Sequence, residues 1–198
     1  MQIISSIRRR IGWLGLVLLM AAGTSMMAWL VDSENQSGAH AATPSILSTA
    51  SRIGTSGLPV PRFASLKNRR VNVRKGPSQT HSIAWQFQRA GLPIEITRES
   101  ENWRMIRDSE GEEGWVFHSL LSGERTAVVA PWDRDAVLRV LRDSADHGGE
   151  ALARIEPQVV VAVEQCDGSW CEIEANGHQG WLEQTDLWGV YAGEVIRR

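Results

Sequence analysis

The sequence predicts an all-β protein built from two small tandem barrels of five strands each, behind an N-terminal export segment and a linker. Three observations carry this. Two stretches share one spacing: Arg74, Trp103, Ile106, Gly114-Trp115-Val116 and Leu120-Leu121 are matched by Arg142, Trp170, Ile173, Gly180-Trp181-Leu182 and Leu187-Trp188. The interval from Arg to the first Trp is 29 residues in one copy and 28 in the other, and from that Trp to the Gly-Trp it is 11 and 10. A period of this length marks a duplicated structural unit. Within each copy, short apolar runs alternate with polar residues at period two and are separated by Gly-, Asn- and Asp-containing turns, the signature of short antiparallel strands. About sixty residues per copy leaves room for one small, strongly bent barrel and little else.

Residues 1–41 read as a signal peptide or a membrane anchor. Arg8-Arg9-Arg10 precede an uncharged run from Ile11 to Val31, and Ala39-His40-Ala41 offers a small-x-small cleavage site. The run of 21 residues also suffices to span a bilayer with its Arg cluster held inside. Gly12, Gly15, Gly23, Thr24 and Ser25 dilute its hydrophobicity and favour cleavage. Membrane attachment follows only if the segment is retained; either way the rest of the chain is expected in the periplasm or cell envelope. Residues 42–61 are rich in Ser, Thr, Ala, Gly and Pro and read as a flexible linker.

The first barrel is expected over 62–124. Arg70 to Arg74 is its opening strand, with Val71 and Val73 alternating against polar neighbours, and Lys75-Gly76-Pro77-Ser78 breaks it into a loop towards Trp85. Leu92 to Thr97, Trp103 to Arg107 and Gly114 to His118 are further strands, Ser119 to Gly123 a 3₁₀ turn, and Arg125 to Ala130 a fifth strand ended by Pro131. The second barrel is expected over 136–192: a strand at Val137 to Leu141, a polar loop from Arg142 to Glu150, and strands at Val159 to Gln165, Trp170 to Ala175 and Gly180 to Glu183. A turn at Thr185 to Gly189 and a last strand near Val190 close it.

Asn72-Val73-Arg74-Lys75-Gly76-Pro77-Ser78 resembles the opening signature of the bacterial Src-homology-3-like domain. Trp103 with Ile106, and Gly114-Trp115-Val116 with Leu120-Leu121, resemble its central and closing motifs. The second copy departs at Arg139-Val140-Leu141-Arg142-Asp143-Ser144, which lacks the Gly-Pro. The whole layout is similar to exported proteobacterial proteins with tandem copies and no assigned reaction. The resemblance implies a barrel that targets cell-wall peptide or modifies access to peptidoglycan enzymes, although fold does not fix function.

Cys166 and Cys171 flank Asp-Gly-Ser-Trp, a turn sequence between two strand-like runs. A hairpin there sets them opposite one another, within disulfide reach. The same positions of the first copy hold Glu99 and Arg104, so a covalent cross-strand pair corresponds to an ionic one. Two free buried thiols would suit a cytosolic chain instead. A zinc site would need more ligands than His178 alone supplies.

Nine Trp stand against one Tyr and three Phe, which focuses attention on the indoles. Period-two geometry sets Trp103, Trp115, Trp170 and Trp181 on the face opposite Ile106, Val116, Ile173 and Leu182, with Glu172 and Glu183 marking that face as wet. Part-exposed there, the pair of indoles on each barrel would form a binding ledge. The competing reading makes them rim plugs or contacts between the copies, and most large aromatics are structural. A Tyr-lined polyproline groove has no counterpart, since Tyr191 lies at the chain's end.

A net charge of −2 argues against a nucleic-acid partner. No phosphate loop, His-Glu-x-x-His or Gly-x-Ser-x-Gly is present. His81 and His118 adjoin Ser82 and Ser119, but strand neighbours point to opposite faces. Glu99, Glu101, Asp108, Glu110, Glu112 and Glu113 cluster around one hairpin without an apolar surround to raise a pKa. The expectation is therefore a non-catalytic binding module of the envelope, without cofactor or metal, recognising cell-wall peptide or an exported protein. The alternative is a peptidoglycan-acting hydrolase or an accessory subunit of one.

Overall fold

The computed structural model describes residues 52–197. The signal or anchor reading of 1–41, and the linker up to residue 51, lie outside these residues. Among the described residues there is no α-helix, only strands and two 3₁₀ turns, at His118–Leu120 and Gln184–Asp186.

The first barrel comprises β3 (Arg62–Leu66), β4 (Val71–Arg74), β5 (Ile83–Phe87), β6 (Pro93–Ser100), β7 (Trp103–Arg107), β8 (Glu113–Phe117) and β9 (Leu121–Ser122), in the sheet order β5-β4-β8-β7-β6-β3-β9. The second comprises β10 (Thr126–Val129), β11 (Arg139–Arg142), β12 (Ala151–Ile155), β13 (Val160–Asp167), β14 (Trp170–Ala175), β15 (His178–Glu183) and β16 (Leu187–Trp188), in the order β12-β11-β15-β14-β13-β10-β16. The two orders agree element for element. Even the irregularities repeat: register shifts fall at Val73/Arg74 and Leu141/Arg142, and again at Ile96/Arg98 and Val163/Gln165. Bulges bend a sheet at fixed points, so their recurrence gives both copies the same curvature.

Three sequence expectations change. The linker reading of 42–61 ends early, because Arg52–Ile53 (β1) and Pro59–Val60 (β2) pair as a hairpin that packs Val60 into the first core. Residues 126–129 do not finish the first barrel; they pair with β13 and β16 and open the second, which therefore begins before residue 136. The sheets also hold seven and eight strands instead of five, in part because the loops after β4 and β11 contain the edge strands β5 and β12 and because a last strand at Val195–Ile196 joins the second.

Each core is assembled from inward residues at matched positions. Val73, Ile94, Ile106 and Val116 are fully buried in the first, and Leu141, Val161, Ile173 and Leu182 in the second. The Gly of each Gly-Trp faces this core. A Cβ on Gly114 would run into the Val73 side chain, and one on Gly180 would lie 2.6 Å from the Arg142 carbonyl oxygen. Glycine thus permits β8 to cross β4, and β15 to cross β11, at close range.

The β6–β7 and β13–β14 hairpin ends are fastened differently at one position. Glu99 pairs in register with Arg104, and their side chains meet at 3.2 Å. Cys166 pairs in register with Cys171, and the two form a disulfide with Cα atoms 4.1 Å apart. A terminal segment covers each fastening. The β1–β2 hairpin hydrogen-bonds to Glu99 through Ser56, while Val195–Ile196 (β17) pairs with β13 at Cys166 and Asp167. The loop closed by the disulfide is short, so replacing both cysteines by alanine should cost about 2 kcal/mol in a urea melt. A variant as stable as the parent would show that the hydrogen-bonded hairpin alone holds this end.

The barrels meet through a built junction. Phe63 of β3 packs edge-on against Trp188 at 5.2 Å and at a tilt of 43° against Tyr191 at 4.7 Å, with the Arg125 guanidinium 5.9 Å above its ring. The Tyr191 hydroxyl donates to Glu95 Oε1 at 2.9 Å, and Arg107 pairs with the other oxygen of that buried carboxylate. Burial, followed by the charge of Glu95, pushes the Tyr191 phenol above its ordinary pKa, so it remains a donor at neutral pH. Arg125 grips Glu194 with two hydrogen bonds, at 2.8 and 2.9 Å. Apolar stacking joined by these hydrogen bonds fixes a junction more firmly than a bare hydrophobic contact would, although the buried Arg125 Nε and Thr126 hydroxyl have no partner there.

Candidate functional site: twin depressions floored by tryptophan

Strand alternation places the four predicted indoles on the outward faces of β7, β8, β14 and β15, as expected. Their depths differ. Trp115 and Trp181 are partly exposed at mid-strand, opposite Arg74 and Arg142 respectively. Trp103 and Trp170 are each only 8 % exposed, which corrects the expectation that all four are part-exposed. Each begins its strand at the barrel end, where neighbouring side chains fold over it. Phe117 meets the Trp103 ring edge-on at 5.5 Å, and His147 meets the Trp170 ring at 5.2 Å. Neither barrel therefore presents a pair of part-exposed indoles as a ledge.

Trp103 and Trp170 instead floor two open depressions. The first, of 320 Å³, is lined by Arg70, Asn72, Arg74, Gln79, Phe117 and Ser119 around Trp103, with Leu120 at its edge. The second, of 470 Å³, is lined around Trp170 by His147, Glu183, Gln184 and Thr185, and by residues of the segment leading to β17. The two overlap at matched positions of the copies, around Trp103 and Trp170 and at Ser119 and Thr185. Gln79 and His147 each follow the repeated Arg by five residues, and Phe117 and Glu183 each follow the Gly-Trp indole by two. Trp115 and Trp181 line neither depression.

The loop forming one wall is held by the repeated Arg. Arg74 donates to the His81 carbonyl at 2.7 Å, and Arg142 to the Gly149 carbonyl at 2.7 Å. In the first depression Gln86 donates to the Asn72 side-chain oxygen at 2.7 Å, which orients that amide. In the second, Gln184 is buried, donates to the Glu194 carbonyl and accepts from the Gly193 N–H, tying down the terminal wall. Asp167 accepts the Trp170 and Ser169 N–H groups, in that order of weight, which holds its carboxyl below the ordinary range and sets where Trp170 enters.

The acidic cluster around the first hairpin does not assemble as a pair. Glu99 is consumed by Ser56, Arg62 and Arg104. Asp108 accepts the N–H groups of Glu110 and Glu112 in its own turn. Burial nevertheless leaves its carboxyl above the ordinary value, helped by the Glu110 and Glu112 charges. Among the described residues no three His, Cys, Asp or Glu side chains gather as a metal site, and no cysteine is free. The residues that sequence reasoning missed are Arg70, Asn72, Gln79, Phe117, His147 and Glu183. Aligning the two copies on their Arg and Gly-Trp would have exposed the last four as matched pairs.

The family model of the bacterial SH3 domain matches residues 67–123 and again 136–189. Among curated proteins none matches the chain. Similar solved structures include NlpC2 from Trichomonas vaginalis, at 12% identity and a TM-score of 0.30, covering 65% of this chain and 48% of that one. NlpC1 from the same organism is 14% identical with a TM-score of 0.30, covering 73% and 51%. An NlpC/P60 family protein from Bacillus cereus ATCC 10987 is 10% identical with a TM-score of 0.29, covering 64% and 55%. The chain spans about half the length of these proteins.

Proposed function

Because the chain belongs to the bacterial SH3 domain family, twice over, we propose that it is a non-catalytic binding module of the cell envelope whose ligand is cell-wall peptide. The observation that carries this reading is a depression in each barrel, floored by the matched indole and walled by polar side chains, the two overlapping at matched positions. Small apolar floors with a few convergent polar groups suit short polar ligands. Two sites on one firmly joined body let a repetitive polymer be held at two points, which raises avidity without new contacts. The buried Cys166–Cys171 disulfide supports an oxidising compartment such as the periplasm.

Incubation of the chain with purified peptidoglycan tests the reading. The expected result is co-sedimentation with no release of soluble fragments. Release would convert the assignment to a wall hydrolase. Absence of sedimentation would remove the wall as ligand and leave an exported protein as partner, to be sought by pull-down from envelope extract.

A further inference from the structure

The two depressions agree in position and differ in charge. Two arginines and no acid line the first, in a chain whose net charge is −2. Arg70 is exposed and, like several other surface arginines, has no carboxylate partner among the described residues. Arg74 is held in place by the His81 carbonyl. At the matching place in the second barrel, Glu183 stands where the first has Phe117, with His147 Nδ1 3.5 Å from its carboxylate.

We propose that the first depression is a carboxylate site that takes the free C-terminal end of a peptide, and that the second is not. This rests on the envelope-binding reading and names the chemical end that the first site takes. A guanidinium matches a carboxylate through paired N–H donors, and a pre-held arginine loses little freedom on binding. The Asn72 amide and Ser119 hydroxyl supply hydrogen-bonding groups for the terminal peptide unit, and the Trp103–Phe117 floor packs a small apolar side chain. At 320 Å³ the depression has room for the end of a chain and not for a long run of it. Glu183 would repel the same carboxylate from the second barrel.

The test uses the full chain in mild detergent, with the tripeptide Ala-Ala-Ala and its C-terminal amide as probes, read through the indole N–H resonances. The free acid is expected to shift the Trp103 signal while leaving Trp170 in place, and the amide to bind at least about tenfold more weakly, since a charged hydrogen bond is lost. Arg70→Gln, an exposed change, should weaken the acid about tenfold and so remove most of its advantage over the amide. Phe117→Glu should abolish acid binding. Equal affinity for acid and amide, no binding of either, or indifference to Arg70→Gln would each overturn the assignment. So would an equal Trp103 shift with inorganic phosphate at the same concentration, which would make this a general anion site. Sedimentation with peptidoglycan alongside equal affinity for acid and amide would overturn this assignment alone. Discrimination of acid from amide without any sedimentation would overturn the envelope reading alone.

Discussion

Replacing Glu99 by alanine is expected to cost about 3–5 kcal/mol of folding stability, the usual consequence of removing one member of a buried ion network. Its side chain is 1% exposed. Oε1 receives Arg62 at 2.7 Å, Arg104 at 3.2 Å and the Ser56 hydroxyl at 2.7 Å, while Oε2 receives the Ser56 N–H at 2.7 Å and the Thr55 hydroxyl at 3.2 Å. Without Glu99, Arg104, whose side chain is 9% exposed, keeps its charge and loses its anion, and the β1–β2 hairpin loses its anchor. Burial opposes ionisation of this carboxyl, but the Ser56 and Arg62 hydrogen bonds and the Arg104 charge outweigh it and hold the pKa at about 2. A folded-state pKa below the ordinary value stabilises the fold at pH above about 4.5, and that contribution drains away as the pH falls from there towards 2. A depression of this size corresponds to about 3 kcal/mol. Glu99→Gln should therefore be weaker at neutral pH and show a flatter acid limb when urea midpoints are taken from pH 6 down to pH 2. The second barrel is an internal control, because the disulfide in the matching position does not titrate. An unchanged acid limb in Glu99→Gln would show that other carboxylates govern acid unfolding.

The Glu99–Arg104 and Cys166–Cys171 correspondence was legible because hairpin length and repeat register are both printed in the sequence, and register decides which side chains face each other. The core was legible for the same reason: Val73, Ile106, Val116 and their partners Leu141, Ile173 and Leu182 follow period two. Depth was not. Alternation assigns a residue to a face, but Trp103 and Trp170 stand at strand starts, where Phe117 and His147 close over them from other elements. The edge strands β5 and β12 were hidden because an edge strand needs no clean apolar face; Ile83 and Leu152 are exposed. The most instructive miss is Thr126–Val129, which follows the first copy in sequence yet pairs with β13. Its counterpart Arg62–Leu66 precedes the repeated Arg in the first copy, so strict use of the duplication would have placed it correctly.

Gly180→Ala is expected to destabilise the second barrel by about 3 kcal/mol, at the upper end for overpacking, and Gly114→Ala the first by about 1–2 kcal/mol. The difference follows from what each added methyl meets. At Gly180 the obstacle is backbone, the Arg142 carbonyl oxygen at 2.6 Å, backed by Leu141 Cγ at 2.8 Å. Arg142 pairs in register with Trp181, the neighbour of Gly180, so relief requires pulling β11 away from β15 at their pairing point. At Gly114 the nearest atom is a methyl of Val73, and the Arg74 carbonyl lies farther off at 3.2 Å. A valine in the core can turn about χ1 at a cost of order 1 kcal/mol, whereas a backbone carbonyl can yield only with its strand. Separation of β11 from β15 would also loosen the loop that carries His147, so the second depression should open before the barrel unfolds. Hydrogen exchange of the β15 amides, with urea midpoints for both variants, tests this. Equal losses in the two variants would mean that both crossings relax by the same backbone shift, and the distinction between a yielding side chain and an unyielding carbonyl would fall.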